Sequence, residues 1–250
     1  MGIIYKKRAK AFSIKMLVVS LMFLLFAMLF FMLGRYPFFK SLDSEVSISN
    51  KTVTVVLDPG HGGVDGGAEV KGIFEKDINL KLAKIIRDFL ALYKVNCVMT
   101  RSEDVLLCDE GDTSKKKADL LNRVKITNTY ESPIFVSVHM NKFPISKYSG
   151  LQVFYSTNND SSLKLAEIIQ EYTVTNLQPE NKRQVKPSTS SIYVLDRLES
   201  PAVLVECGFM SNDEELEKLT DDVYQKELAF IICESILNFI NQSNQRMTNG

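Results

Sequence analysis

The stretch Val53 to Gly63, VTVVLDPGHGG, most constrains what this chain can fold into. An apolar run rich in β-branched residues reads as a strand, and Asp58, Pro59 and Gly60 stop it and turn the chain. The turn delivers His61, one of two histidines in the sequence. The second, His139, closes another apolar run, Ile134 to Val138 (IFVSV), and a third run, Ala202 to Val205 (AVLV), delivers Glu206. In an open α/β sheet, groups at the carboxyl ends of strands line one rim, where ligands bind. His61, His139 and Glu206 are therefore expected along a single edge.

The pattern between these runs predicts the rest of the fold. Lys76 to Leu92 carries Ile78, Leu82, Ile85, Ile86 and Phe89 on one helical face. Glu75 stands at its start, where the helix dipole favours a carboxylate. A helix that packs back along the sheet must begin at the carboxyl edge, so Glu75 belongs on the same rim as His61. Val95 to Met99 is expected as a strand, the charged stretch 102–118 with its lysine triplet Lys115 to Lys117 as a solvated loop rather than a specific anion site, and Asp119 to Tyr130 as a short helix. Gly150 to Tyr155 reads as a half-buried strand, followed by a helix capped by Ser161. Thr175 to Ser191 reads as a surface loop that borders a groove. Ile192 to Leu195 and Ala202 to Val205 read as strands, and after them come an acidic helix capped by Asn212 or Asp213 and a last amphipathic helix, Val223 to Ile240. About six strands interleaved with about five helices give a three-layer α/β domain with a mixed, largely parallel sheet.

The N-terminus has a different character. Lys6, Lys7, Arg8, Lys10 and Lys15 precede Met16 to Leu33, an uncharged apolar run that at the helical rise spans roughly 27 Å, close to the hydrocarbon thickness. The expected layout is a cytoplasmic basic segment 1–15, a transmembrane anchor 16–33, a linker 34–51, a catalytic domain 52–241 outside the cytoplasm and a flexible tail 242–250. A cleaved signal peptide, which would make the protein secreted, is the alternative, although Met32 and Gly34 make a poor cleavage site.

Thirty basic and thirty acidic side chains balance to zero, which removes the electrostatic footprint of a nucleic-acid binder. The cysteines Cys97, Cys108, Cys207 and Cys233 show no C-x-x-C spacing, and any pairing among them stays open. Cys207 follows Glu206 directly, and side chains alternate along a strand, so Cys207 is expected to point away from the rim as a small apolar filler.

Two histidines and one carboxylate are the ligand set of a catalytic zinc site that leaves a fourth position open. His61, Glu75 and His139 suit that role, and Glu206 suits that of a second carboxylate that takes a proton from water. With such a set, amide hydrolysis needs no protein nucleophile.

At these residues the chain resembles a known family. VVLDPGHGGVDGGA, Glu75 with EKDINL, SVHMN at 137–141 and PAVLVECGFMSN at 201–212 are similar, in order, to motifs of the zinc-dependent N-acetylmuramoyl-L-alanine amidases of the amidase-3 type. Within that family the membrane-anchored layout resembles the sporulation-specific, CwlD-type enzymes. The resemblance runs from about Val53 to Ile240. It implies one Zn2+ on His61, Glu75 and His139, Glu206 as the catalytic carboxylate, and Asn141, Arg123 and Asn128 as site neighbours. It further implies peptidoglycan as substrate, cleaved between muramic acid and L-alanine on the way to muramic δ-lactam in the spore cortex. The expected location is the cell membrane facing the forespore intermembrane space, with an accessory protein for activation or localisation. Only Ser156 to Asp160 follow the strand Gly150 to Tyr155, too few residues for the plugging helix that some cell-division relatives carry there. A zinc hydrolase of another amide and a catalytically silent wall-binding scaffold are the competing functions.

Overall fold

The computed structural model describes residues 53–249 together with Leu21, Met22, Leu24, Leu25 and Met28, which are helical and exposed. These residues fall in two units, within Met1–Ser47 and within Ile48–Gly250. Among the described residues no helix is long and apolar enough to cross a membrane. The basic segment and linker, and all but those five residues of the expected anchor, lie outside the described residues.

The second unit is built on a six-stranded sheet. Its strands are β1 (Thr54–Pro59), β4 (Asn96–Met99), β5 (Pro133–Asn141), β6 (Gln152–Tyr155), β7 (Lys186–Pro187) and β8 (Ala202–Phe209), in the order β4-β1-β5-β8-β6-β7. The first four in that order run parallel, and β6 pairs antiparallel with β8. A small antiparallel pair, β2 (Glu69–Val70) and β3 (Ile73–Phe74), turns at Lys71 and Gly72, both with positive φ, as a tight hairpin demands.

Alternation along the strands sorts the two faces. Leu57, Val136, Val138, Val203 and Val205 face α1 (Glu75–Leu92), α3 (Ser161–Asn176) and α6 (Asp222–Asn249), where Leu82, Ile86, Leu165, Ile169, Ile232 and Ile236 complete the larger core. Val56, Phe135, Ala202 and Leu204 face the other way, against α2 (Lys115–Thr127) and the short α4 (Tyr193–Arg197), in a smaller core with Val194, Leu195 and Leu198. Helix α5 (Asp213–Thr220) packs on β8 and α6, capped as expected by Asn212, whose side chain accepts from the Glu214 and Glu215 amides. The architecture is the expected α/β sheet flanked by helices.

Four expectations are corrected. Ile192 to Leu195 is not a strand: its residues enter α4, one turn that seats Val194, Leu195 and Leu198 on the sheet. A four-residue apolar run carries no period that separates the two states. The sixth strand is Lys186–Pro187, inside the stretch read as loop; it is exposed and sits at the sheet edge, where proline's missing N–H costs nothing. The lysine triplet is the first turn of α2 rather than a loop. Ser161 does not cap α3; Asn159 accepts from its amide instead. In addition, α6 continues to Asn249, through most of the segment expected as a tail. Only Ser156 to Asp160 separate β6 from α3.

Candidate functional site

His139 and Glu206 stand side by side on β5 and β8, in register, one strand apart. Both lie within their strands rather than beyond the ends, and both project on the face that carries Phe135 and Leu204. His61 comes off β1 one residue past Gly60, at φ 62. That left-handed conformation is disfavoured for a residue with a Cβ. The surrounding hydrogen bonds hold it there. Gly60 has no side chain for a steric reason, since a Cβ would lie 2.1 Å from His139 Cε1.

Glu75 arrives from the opposite direction. The β2–β3 hairpin ends at Phe74 and α1 begins with Glu75, so the carboxylate sits at the positive end of the helix dipole and is buried. Its Oε1 lies 2.9 Å from His139 Nδ1 and its Oε2 lies 3.3 Å from His61 Nε2. The amides of Ala68 and Met140 and the Asn79 side chain donate to the same carboxylate. Burial alone would raise the Glu75 carboxyl, but the hydrogen bonds and charges of His139 and His61 outweigh it and hold the group well below the usual carboxylate range. For His61, burial works downwards, yet Glu75 and Asp65 outweigh it and raise the imidazole. Asp65 Oδ2 is 3.0 Å from His61 Nδ1. A carboxylate on that nitrogen leaves Nε2 turned to the centre.

Ligand atoms of His61, Glu75 and His139 lie within 4.8 Å of one another. A carboxylate flanked by two imidazoles can hold a cation once the facing ring nitrogens are free of protons, and two nitrogens plus one oxygen suit zinc. These three residues thus fit the expected metal.

Glu206 lines a cavity of about 250 Å3 together with His61 and His139. Its Oε2 is buried without a hydrogen-bond partner. Burial pushes the carboxyl up to about 7, helped by Glu75 and opposed by His139 and His61. Cys207 next to it is buried in the larger core on the far face, with its thiol pushed well up by burial first and by Glu206 next, so it is a filler and no nucleophile. All four cysteines are free.

Arg123 does not line the centre as a ligand; it holds the turn that carries His61. Its Nε and Nη2 donate to Asp119, Nη1 to Asp58 Oδ1 and the Pro59 carbonyl, and Nη2 also to the His61 carbonyl. Arg101 grips the same turn from the other side through the carbonyls of Pro59 and Gly60. Asp58, Asp65, Arg101 and Asp119 escaped the sequence reading. Thr100 and Arg101 at the end of β4 were the available signal, because they sit where a ligand-bearing rim begins. Asn141 ends β5 opposite Phe209, and its carbonyl accepts from Met210. Asn128 is exposed at the C-cap of α2. Neither asparagine is brought to the cleft that holds His61, His139 and Glu206.

The N-acetylmuramoyl-L-alanine amidase family, Amidase_3, matches residues 55–238. The chain is 36% identical over 229 residues to the germination-specific N-acetylmuramoyl-L-alanine amidase of Bacillus subtilis (strain 168), covering 89% of this chain and 94% of that one. Among solved structures it is similar to the CwlD amidase from Clostridioides difficile in complex with the GerS lipoprotein, with 37% identity, a TM-score of 0.72 and coverage of 75% of this chain and 98% of that one. It is also similar to the amidase AmiC2 of Nostoc punctiforme, at 31% identity and a TM-score of 0.65, covering 76% and 97% of the two chains. With its fold and clustered site residues, the chain belongs to the N-acetylmuramoyl-L-alanine amidase family and is an enzyme of that class.

Proposed function

We propose that this enzyme is a zinc-dependent amidase that cleaves the bond between N-acetylmuramic acid and L-alanine in spore-cortex peptidoglycan, as a step towards muramic δ-lactam. The observation that carries the reading is that Glu75 lies between His61 and His139, while the buried Oε2 of Glu206, which lines one cleft with those two histidines, has no partner. His61, Glu75 and His139 would hold the ion, whose Lewis acidity, when bound, would polarise the scissile carbonyl. Glu206 takes a proton from the attacking water as the oxygen adds to the carbonyl carbon, then gives a proton to the L-alanine nitrogen as the C–N bond breaks. A carboxyl group with its pKa near neutrality is suited to both halves of that exchange. Arg123 and Arg101 keep the His61 turn in place, and Asp65 holds the ring's orientation.

The germination-specific relative supports the cortex assignment. The apolar run 16–33 supports a single-pass anchor with a cytoplasmic N-terminus, and the complex of the C. difficile relative with a lipoprotein supports an accessory partner. The test is digestion of purified cortex and vegetative peptidoglycan by the zinc-loaded protein, with the products identified by mass spectrometry. Free L-alanine amines are expected; new ends within the stem peptide would overturn the reading. Fractionation of the full chain with membranes checks the anchor.

A further inference from the structure

Apart from Glu206, the charged side chains on the walls of the catalytic cleft are held by partners, and Lys116 is held least. Asp58 and Asp119 are held by Arg123, and Asp119 also accepts from the Leu107 amide. Asp65 faces His61 Nδ1 and accepts from the Gly67 amide. Arg123 has its N–H groups engaged by Asp58, Asp119 and the carbonyls of Pro59 and His61. Lys116, on the mouth of the same cleft, is different: its side chain is 73% exposed, and its Nζ comes only to 3.7 Å from Asp65 Oδ2, beyond hydrogen-bond length. Asp119, three residues on in the same helix, is turned inward to Arg123 and offers it nothing. Among the described residues Lys116 is therefore the cation on this cleft with donors to give.

Apart from the long ion pair with Asp65, nothing in its own helix favours a lysine there. Lys115, Lys116 and Lys117 occupy the first turn of α2, which has no acidic residue, and Ser114 makes no side-chain cap. Cations at a helix N-terminus oppose the dipole, so the position is unfavourable for the fold taken alone.

Given the amidase reading, on which this step rests, the substrate's chemistry is asymmetric about the scissile bond. The sugar side is uncharged once its carboxyl is in the amide, whereas the peptide side carries carboxylates. We infer that Lys116 is a specificity residue that binds a carboxylate on the peptide side of the scissile amide, so that the enzyme selects acidic stem peptides over amidated ones.

The test uses two muramyl peptides that differ only in whether the residue after L-alanine carries a carboxylate or its carboxamide, with the zinc-loaded enzyme and its Lys116→Met and Lys116→Arg variants. Wild type is expected to favour the carboxylate form by about tenfold in kcat/KM, the order of one charge-assisted contact, and to lose that preference as salt is raised. Lys116→Met brings the ratio close to one through KM, with kcat for the acidic substrate kept, and Lys116→Arg retains the preference. An equal ratio in wild type, or an unchanged ratio in Lys116→Met, overturns the inference and leaves the amidase reading intact. Cleavage of neither substrate by wild type overturns both.

Discussion

Arg123 Nη1 lies 2.6 Å from Asp58 Oδ1, and both side chains are only 2% exposed. This pair binds the second helix of the site to the first strand just where the strand turns into His61. Breaking a buried pair by removing one partner leaves an uncompensated charge and costs about 3–5 kcal/mol. Arg123→Met is therefore expected to lower denaturant stability by that order and to weaken zinc binding, since the His61 carbonyl loses its donor. Arg123→Lys should rescue little, because an ammonium cannot reproduce the planar fork. Unchanged zinc affinity in a folded Arg123→Met protein would show that the turn does not need this clamp.

The same pair sets a pH dependence. Burial would raise the Asp58 carboxyl, but Arg123, Thr100 and Ser137 outweigh it and bring it below its ordinary 3.8. A depressed carboxylate stabilises the fold above its unfolded pKa, and that contribution is lost as pH falls through the lower folded value. Ser137→Ala removes the 2.7 Å hydrogen bond to Asp58 Oδ2 and lets the folded value rise. Wild type should then lose more stability than Ser137→Ala between about pH 7 and pH 2, as read by urea unfolding at each pH. Equal losses would disconnect Ser137 from the titration.

Glu206 and the three proposed metal ligands, His61, Glu75 and His139, should separate cleanly on substitution. Glu206→Gln keeps the shape but cannot take a proton, so hydrolysis is expected to fall by at least about 10²-fold while zinc stays at one per chain. His139→Ala removes a proposed ligand, and zinc content after dialysis should drop with activity. Chelation of the wild type should abolish hydrolysis, and stoichiometric zinc should restore it. Loss of zinc in Glu206→Gln would move Glu206 into the ligand set.

How much of this was legible in the chain follows from which physical signals are local. The strands β1, β5 and β8 were readable from their β-branched apolar runs, but only β1 stops before its site residue: β5 and β8 continue past His139 and Glu206, which come together by lying in register on one face. Glu75 was readable because an amphipathic helix has to start where the preceding strand stops. The edge strand Lys186–Pro187 was not, since an exposed polar dipeptide has no apolar pattern to betray it. Nor was α4, whose apolar residues are too few to show a helical period. The polar frame of Asp58, Arg101, Asp119 and Arg123 is a tertiary object: its bonds join residues as much as 65 positions apart, and only folding pairs them.

Gly60→Ala and Gly72→Ala separate close packing at the proposed metal site from backbone strain. Gly60 is not at positive φ, so alanine there meets no conformational penalty, but its Cβ would fall 2.1 Å from His139 Cε1 and 2.2 Å from Nε2. The ring has to move, and movement breaks its 2.9 Å contact with Glu75 Oε1. Gly72 offers the opposite case: φ is +77, yet no atom lies within 4 Å of the place an alanine methyl would take, so Gly72→Ala strains only the hairpin turn. Overpacking and a misplaced turn residue each cost about 1–3 kcal/mol, so the two variants should lose comparable stability. Their zinc affinities should differ: at least about tenfold weaker in Gly60→Ala, as expected when a ligand is displaced, and close to wild type in Gly72→Ala. Titration with zinc against a competing chelator decides it. Equal affinities in both would mean that His139 is free to shift without loss of the ion, and that its position against Glu75 is not what builds the site.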